Sequence, residues 1–251
     1  MSRRSKNWSA LWRAHADGQV NAGIRNGICH VLVPDGVSPR TRKVVIRSNW
    51  HRTQKFPSRK AGRMVQSESR SEFYAHHLLE VDPTIQSFAE QPYRIIYVLE
   101  GKEREHYPDI RVERHDGRRE IWEVKSAKDA GSPFIRARTA FMQEHLAALG
   151  YTYRVALNED LERQPRLNNL RLLLKFGRYP VDVVTREHIR QLAARADGIP
   201  WKAAREGVLG TQGRFALCRL VLDGLLTVDL ESPVCADTRF SSTESPKALL
   251  P

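Results

Sequence analysis

His106–Ser126 reads HYPDIRVERHDGRREIWEVKS. Two apolar-alternating runs flank His115-Asp116-Gly117, and side chains alternate across a strand. In Arg119–Lys125 one face carries Ile121, Glu123 and Lys125, and the other carries Glu120, Trp122 and Val124. In the preceding run Asp109, Arg111 and Glu113 alternate with Ile110 and Val112. A three-residue loop with Gly117 in the left-handed conformation pairs Arg114 with Arg118, and hence Asp109 with Glu123 and Val112 with Glu120. Ile110, Val112, Trp122 and Val124 then form a core face. Asp109, Glu123 and Lys125 share the opposite one. A two-residue loop would scatter both sets, because a one-residue slip turns every side chain over.

Two carboxylates opposite one another sit roughly 5 Å apart at Cβ and repel. A hard divalent cation between them, its shell completed by water and phosphate, is one way to hold them. Lys125 beside the pair is placed to neutralise charge or to hold an attacking water. The alternative is a cross-strand salt bridge on a solvent face, worth little. Glu72, on the preceding helical segment, adds a third carboxylate. Ser69-Arg70-Ser71-Glu72 also fits a capping box in which Glu72 reaches back to the Ser69 amide, and the two roles stay open.

Around this hairpin, Ser69–Val81 is predicted helical and stops at Asp82-Pro83. Ile85–Phe88, Tyr93–Leu99 and Tyr107–Val112 have strand character, with turn signals at Glu100-Gly101 and Asp116-Gly117. Phe134–Leu149 has helical apolar spacing between Ser132-Pro133 and Gly150, and Tyr151–Leu157 is a further strand. Residues near 65–160 thus form a small α/β domain around one sheet. Thr185–Ala196, Pro200–Val208 and Thr211–Asp223 are short helical patterns followed by a strand at Leu225–Leu230. That order suggests a winged-helix or helix-turn-helix module, with a helical protein-docking domain as the alternative. In this module Gln212, Arg214 and Arg219 are candidates to meet DNA, while Leu217, Leu220 and Val221 suit its core. The polar tail after Cys235 is expected to be loose.

The 251 residues carry 41 Lys+Arg against 29 Asp+Glu, a formal charge of +12. Such a balance points to a polyanionic partner, most often nucleic acid. No apolar run approaches membrane-spanning length, no lipidation signal or secretory leader is evident, and a soluble protein is expected. Cys29, Cys218 and Cys235 are far apart, so neither a disulfide framework nor a zinc site is expected. From Gly36 to Ser67 there is no acidic residue. The run holds Lys55, Arg59, Lys60 and Arg63, with Arg40, Arg42, Lys43, Arg47 and Arg52 before them and Trp50 and Phe56 interleaved. It is either a solvated arm or a clamp for the DNA backbone, in which each cation near a phosphate releases a counterion. His76, His77 and His106 are expected to be packing or hydrogen-bonding groups, and Trp122 and Phe141 core residues.

Pro108-Asp109 followed by Glu123-Val124-Lys125, with Glu72 on the preceding helix, resembles the PD-(D/E)xK nuclease signature. ESRSEFYAHHLLEVDPTIQSFAEQP (Glu68–Pro92), HYPDIRV (His106–Val112) and WEVKS (Trp122–Ser126) follow one another at the spacing of the TnsA endonuclease family. KFPSRKAGRMVQSES (Lys55–Ser69) and LDGLLTVDLESPV (Leu222–Val234) also look like that family, so the resemblance spans roughly residues 40–235. It implies a restriction-endonuclease-like α/β core with a mixed sheet over 65–178, a winged-helix-like domain over 179–235, a basic extension over 1–64 and a flexible tail over 236–251. It implies catalytic Glu72, Asp109, Glu123 and Lys125. The three carboxylates, with the Val124 carbonyl, would bind two Mg²⁺ or Mn²⁺ ions, and Gln91 would be a neighbour of the site. The implied activity is hydrolysis of the non-transferred strand at the 5′ transposon ends in bacterial cytoplasm. The implied partners are a DDE transposase, an AAA+ regulator and a target-selection protein, with no membrane and no small-molecule cofactor. A stand-alone restriction, repair or defence nuclease, or a non-catalytic DNA-binding adaptor on the same fold, is the alternative.

Overall fold

The computed structural model describes residues 8–13, 27–34, 54–195, 197–243 and 248–249. Arg40 to Arg52 of the basic run, Trp50 included, lie outside them. The described residues fall into two compact units, one comprising those up to Phe73 with Ser87–Asn158, the other Tyr74–Gln86 with those from Glu159 onward.

The first unit contains β1 (Trp8–Arg13), β2 (Gly27–Pro34), β3 (Gln54–Ser58), β4 (Arg63–Ser67), the first turn of α1 (Arg70–Val81), most of β5 (Ile85–Glu90), β6 (Arg94–Leu99), β7 (Lys102–His106), β8 (Ile110–Arg114), β9 (Arg119–Lys125), α2 (Ala127–Ala130), α3 (Pro133–Ala147) and β10 (Tyr151–Leu157). Two four-stranded sheets form, in the orders β1-β2-β6-β7 and β10-β9-β8-β5, where the sequence pattern suggested one. The second is mixed, since β10 runs parallel to β9 and β8 antiparallel. β3 and β4 make a separate hairpin.

The central hairpin has the register its turn demands. Ile110 faces Trp122, and Val112 faces Glu120. Arg114 N donates to Arg118 O at 2.9 Å, and Gly117 N to Arg114 O at 3.0 Å, with Gly117 at φ +84°. Glu100 and Gly101, at φ 56° and 72°, turn β6 into β7. The second strand of that turn, Lys102–His106, is charged, and of the expected strand Tyr107–Val112 only the part from Ile110 is strand, in β8, after the link Tyr107-Pro108-Asp109.

Both faces of β9 are covered, which the alternation did not foretell. Trp122 and Val124 are buried on one side. On the other, Ile121 joins Phe141, Met142 and Leu146 of α3, Tyr151 and Tyr153 of β10, and Tyr93, Ile95, Tyr97 and Leu99 from the first sheet in one apolar core. Glu120 is buried on the Trp122 face. Its carboxylate takes Arg114 Nε at 2.5 Å and Trp122 Nε1 at 2.7 Å, with Arg154 Nη1 at 3.5 Å.

The second unit holds the rest of α1 and then α4 (Asn158–Leu161), α5 (Arg166–Phe176), α6 (Val183–Arg195), β11 (Ile199–Pro200), α7 (Trp201–Arg205), α8 (Gly213–Leu222), β12 (Leu226–Thr227) and β13 (Arg239–Ser242). The resemblance implies that residues up to 178 belong with the nuclease domain. In the fold Phe176 of α5 instead packs on Trp201 and Phe215, at ring-centroid distances of 6.0 and 5.8 Å. Arg239–Ser242, placed by its polar setting in a loose tail, is the middle strand of the sheet β11-β13-β12. Phe240 is fully buried there, stacked on Trp201. Among the described residues no helix is long and apolar enough to cross a membrane.

Replacing Glu120 by alanine leaves Arg114 buried without its carboxylate. We expect a loss of about 3–5 kcal/mol in stability, read from the urea midpoint at constant slope. A loss below about 1 kcal/mol would mean that water replaces this network at no penalty.

Candidate active site

Three elements carry the four expected groups, with Glu123 and Lys125 both on β9. Asp109 ends the short link before β8, and its Oδ2 accepts a hydrogen bond from Val124 N of β9 at 2.7 Å. That bond continues the β8–β9 register to the position where Asp109 faces Glu123. Lys125 lies two residues on and so returns to the face of Glu123, with Nζ 2.7 Å from Glu123 Oε1 and 3.2 Å from the Val124 carbonyl. Glu72 stands in the first turn of α1. Phe73 beside it packs edge-on against Phe56 of the β3–β4 hairpin, with ring centroids 6.2 Å apart.

The capping box forms in altered shape. Ser69 Oγ accepts from Glu72 N at 3.1 Å and donates to Glu72 Oε1 at 2.9 Å, but Glu72 Oε2 takes the amide of Glu68, not that of Ser69. Capping therefore aims the carboxylate, and the two readings of Glu72 do not compete. Glu72 feels the charge of Lys125 and in turn acts on Asp109, so the carboxylates of helix and hairpin lie within electrostatic reach of each other.

Glu123 is 3% exposed, which excludes a salt bridge on a solvent face. Burial pushes its carboxyl up, but His106, Lys125 and Arg138 beside it outweigh burial and hold it down at about 2. Arg138, on α3, donates from Nη2 to Glu123 Oε1 at 2.8 Å. His106 Nε2 lies 3.2 Å from Glu123 Oε2 but makes its hydrogen bond with the Tyr153 hydroxyl, at 3.1 Å. Burial also pushes the His106 imidazole below its ordinary range, so it is neutral at neutral pH. Lys125 and Arg138 are then the lasting cations at Glu123. The expectation that His106 is a packing and hydrogen-bonding group matches this setting, while His76 and His77 are buried in the part of α1 that belongs to the second unit.

Asp109 is the group left under strain. Burial, then repulsion from Glu123 and Glu72, raises its carboxyl well above the ordinary 3.8, against the pull of Lys125 and the Val124 amide. Gln91, predicted as a neighbour, donates its backbone N–H to Asp109 O at 2.7 Å and adopts φ 43° to do so.

Arg138 and Tyr153 were missed by sequence reasoning. A signal for Arg138 existed: it follows Phe134 by four residues and precedes the buried Phe141 by three, a cation on the apolar stripe of a helix. Of the basic residues proposed to meet DNA, Lys55 and Arg59 are exposed on the β3–β4 hairpin and its turn, and Lys60 is half-buried in that turn. Arg63 is a correction. Its guanidinium grips Glu90 with both nitrogens at 2.6 Å, because Glu90 is buried and needs a cation. Arg219 is likewise committed, buried and paired with Asp223, while Arg214 and Gln212 are exposed and Leu217, Leu220 and Val221 fill the core.

Residues 82–158 match the family model described as TnsA-like endonuclease N terminal. Over that stretch the chain is similar to the N-terminal part of such endonucleases. Asp109, Glu123 and Lys125 lie inside the matched stretch, and Glu72 and the basic hairpin lie before it. No curated protein matches the chain.

The donor chemistry of the TnsA-like site suits a hard cation. Its side-chain donors are carboxylate oxygens, and the buried Glu123 Oε2 accepts no hydrogen bond. The three-carboxylate cage expected from the sequence is nonetheless not assembled. Among the described residues no three His, Cys, Asp or Glu side chains are arranged to hold a metal ion. Asp109 and Glu123 alone meet the need of Mg²⁺, which binds through one or two carboxylates and fills its shell with water and phosphate.

Because Asp109 is raised in the fold, the folded state binds its proton more tightly than the unfolded chain does. Stability must then fall as pH rises from the ordinary 3.8 through the raised value. We expect Asp109→Asn to raise the unfolding midpoint of chelator-treated protein at neutral pH by several degrees, and the gain to vanish in acid. A variant less stable than wild type at neutral pH would show that Asp109 carries no such repulsion.

Proposed function

We propose that the chain is the metal-dependent DNA endonuclease of a Tn7-like, TnsA-type transposase, cutting the non-transferred strand at the 5′ transposon ends. The observation that carries this reading is the convergence of Glu72, Asp109, Glu123 and Lys125 within one unit whose matched stretch is TnsA-like. Asp109 and Glu123, with the Val124 carbonyl, would hold Mg²⁺ or Mn²⁺, and Glu72 would take part in a second ion. When bound, such an ion polarises the scissile phosphate and lowers the pKa of a water.

The remaining steps belong to the chain. A bound cation would favour the ionised form of Asp109, since it removes the repulsion that raised the carboxyl. Glu123 stays ionised throughout, held by Arg138. Lys125, released from Glu123 and the Val124 carbonyl, is free to orient the attacking water and to offset the charge gathering on phosphate. Lys55, Arg59 and Lys60 would lie along the DNA backbone. The helices α6, α7 and α8 with the sheet β11-β13-β12 support a winged-helix reading of the C-terminal unit, which would bind DNA or a partner. A DDE transposase and an AAA+ ATPase are the partners this role requires.

The test is strand cleavage of transposon-end DNA with Mg²⁺ or Mn²⁺, with and without a transposase. Asp109→Ala and Lys125→Ala should each lose at least about 100-fold in rate, the scale of removing one charge-stabilising group. Wild-type rates in both variants would sink the assigned site. Rapid cutting without a transposase would favour a stand-alone nuclease.

The basic hairpin gives a separate expectation. Replacing Lys55 and Arg59 by glutamine should lower the slope of log affinity against log salt by about 2, whereas Arg63→Gln should chiefly lower the unfolding midpoint, because it strands Glu90. An unaltered salt slope in the double variant would remove the hairpin from the DNA path.

A further inference from the structure

Across the Phe134 ring from Arg138, which holds Glu123, is an arginine that the catalytic assignment does not use. Arg104 lies on β7, which among the described residues pairs only with β6 and is the last strand of its sheet. Its guanidinium sits over the ring of Phe134, 4.8 Å from the centroid. Phe134, in the first turn of α3, is 43% exposed, a large apolar ring left at the surface. Arg138 approaches the same ring at 5.9 Å while its other nitrogen holds Glu123. Tyr97, raised by burial, feels both guanidiniums and Glu123, which ties Arg104 to the neighbourhood of the site.

The charges in this corner do not balance. Glu123 serves Lys125 and Arg138. Glu105, next to Arg104 but on the other face of the strand, is engaged by Arg94. Among the described residues Arg104 forms no ion pair; its Nε is buried without an acceptor, which leaves the terminal Nη1 and Nη2 as the groups that could meet a ligand. A guanidinium stacked on an aromatic ring is fixed in plane while its edge stays available, and that edge matches two oxygens of a phosphate. A lone, oriented guanidinium beside a phosphodiester-cleaving site is suited to one phosphate of the strand being cut, away from the scissile one.

We propose that Arg104, aligned by Phe134, binds a backbone phosphate of the DNA strand lying in the active site. This rests on the nuclease reading above and adds a contact that reading does not require. Phe134 is here a positioning residue, since it acts through Arg104.

The test is DNA binding by the full chain over a range of salt, with cleavage measured in parallel. Arg104→Gln should weaken binding roughly tenfold, as for loss of one hydrogen bond to a charged group, and reduce the salt slope by about 1. Phe134→Leu keeps the charge, so it should weaken binding several-fold with the slope unchanged. Arg104→Lys should restore the slope but only part of the affinity, because an ammonium lacks the planar fork. Neutral methylphosphonate placed along the DNA in turn should reveal one position that weakens wild type and leaves Arg104→Gln unaffected. If Arg104→Gln folds, binds and shows the wild-type slope while wild type binds and cuts, the contact is wrong and the nuclease reading stands. If wild type neither binds nor cuts with metal and transposase present, both fall together.

Discussion

The three-residue turn at His115-Asp116-Gly117 fixes the register on which the rest of the first unit depends. Gly117 supplies the positive φ that closes it, and Asp116 Oδ1 accepts the Arg118 amide, so the turn is held by its own residues. From that point the ladder leaves no choice. Val112 meets Glu120, Ile110 meets Trp122, and Asp109 arrives beside Glu123 with the Val124 amide in its grasp. A slip of one residue would carry Glu123 and Lys125 to the face of Trp122 and set Ile110 among the charges. The placing of Asp109 beside Glu123 and Lys125 is therefore a consequence of the turn, before any helix packs on it.

Packing then makes the site electrostatically uneven. α3 closes over β9 and takes Glu123 out of water, a burial that costs too much for a lone carboxylate. Lys125 and Arg138 offset it, and Glu123 stays ionised. Asp109 has no cation of its own at hydrogen-bond distance, only the Val124 amide and the field of Lys125. The repulsion that Glu123 has shed thus gathers on Asp109. A cation bound there would relieve that repulsion, and its free energy of binding would include the relief. A fold optimised for stability alone would place asparagine there.

What could be seen in the sequence was local. The hairpin register, the helix from Arg70 with its Ser69 cap, the stop at Gly150 and the strand Tyr151–Leu157 each depend on turn, capping or alternation signals within a few residues of the feature. What could not be seen was pairing across distance. Lys102–His106 is an edge strand whose alternation is hidden by Lys102, Glu103, Arg104 and Glu105, so it read as a loop. Arg239–Ser242 is a strand only because Ile199 and Leu226 offer it edges from far upstream. The burial of Glu123 was illegible for the same reason. Strand alternation tells which residues share a face, but not whether a helix covers that face, and Arg138 comes from that covering helix. The four candidates stand out in the sequence because their chemistry is marked in residue type, whereas Arg138 and Tyr153 around them carry no such mark.

The link between the basic hairpin and the site runs through two consecutive residues. Glu90 ends β5 by taking Arg63 with both oxygens and the Gln66 amide with one, which fastens β4 to that strand. Gln91 then turns into the left-handed region, uncommon for a residue with a side chain, and gives its N–H to the Asp109 carbonyl. A residue keeps such a conformation only where its surroundings impose it. Here the imposition comes from both sides, a buried ion pair before and a strand hydrogen bond after. The hairpin bearing Lys55 and Arg59 is in this way tied by a short run of backbone to the carboxylate most in need of a cation. Arg63, which looked like one more cation for DNA, is better understood as the fastener that gives the other hairpin cations a fixed place.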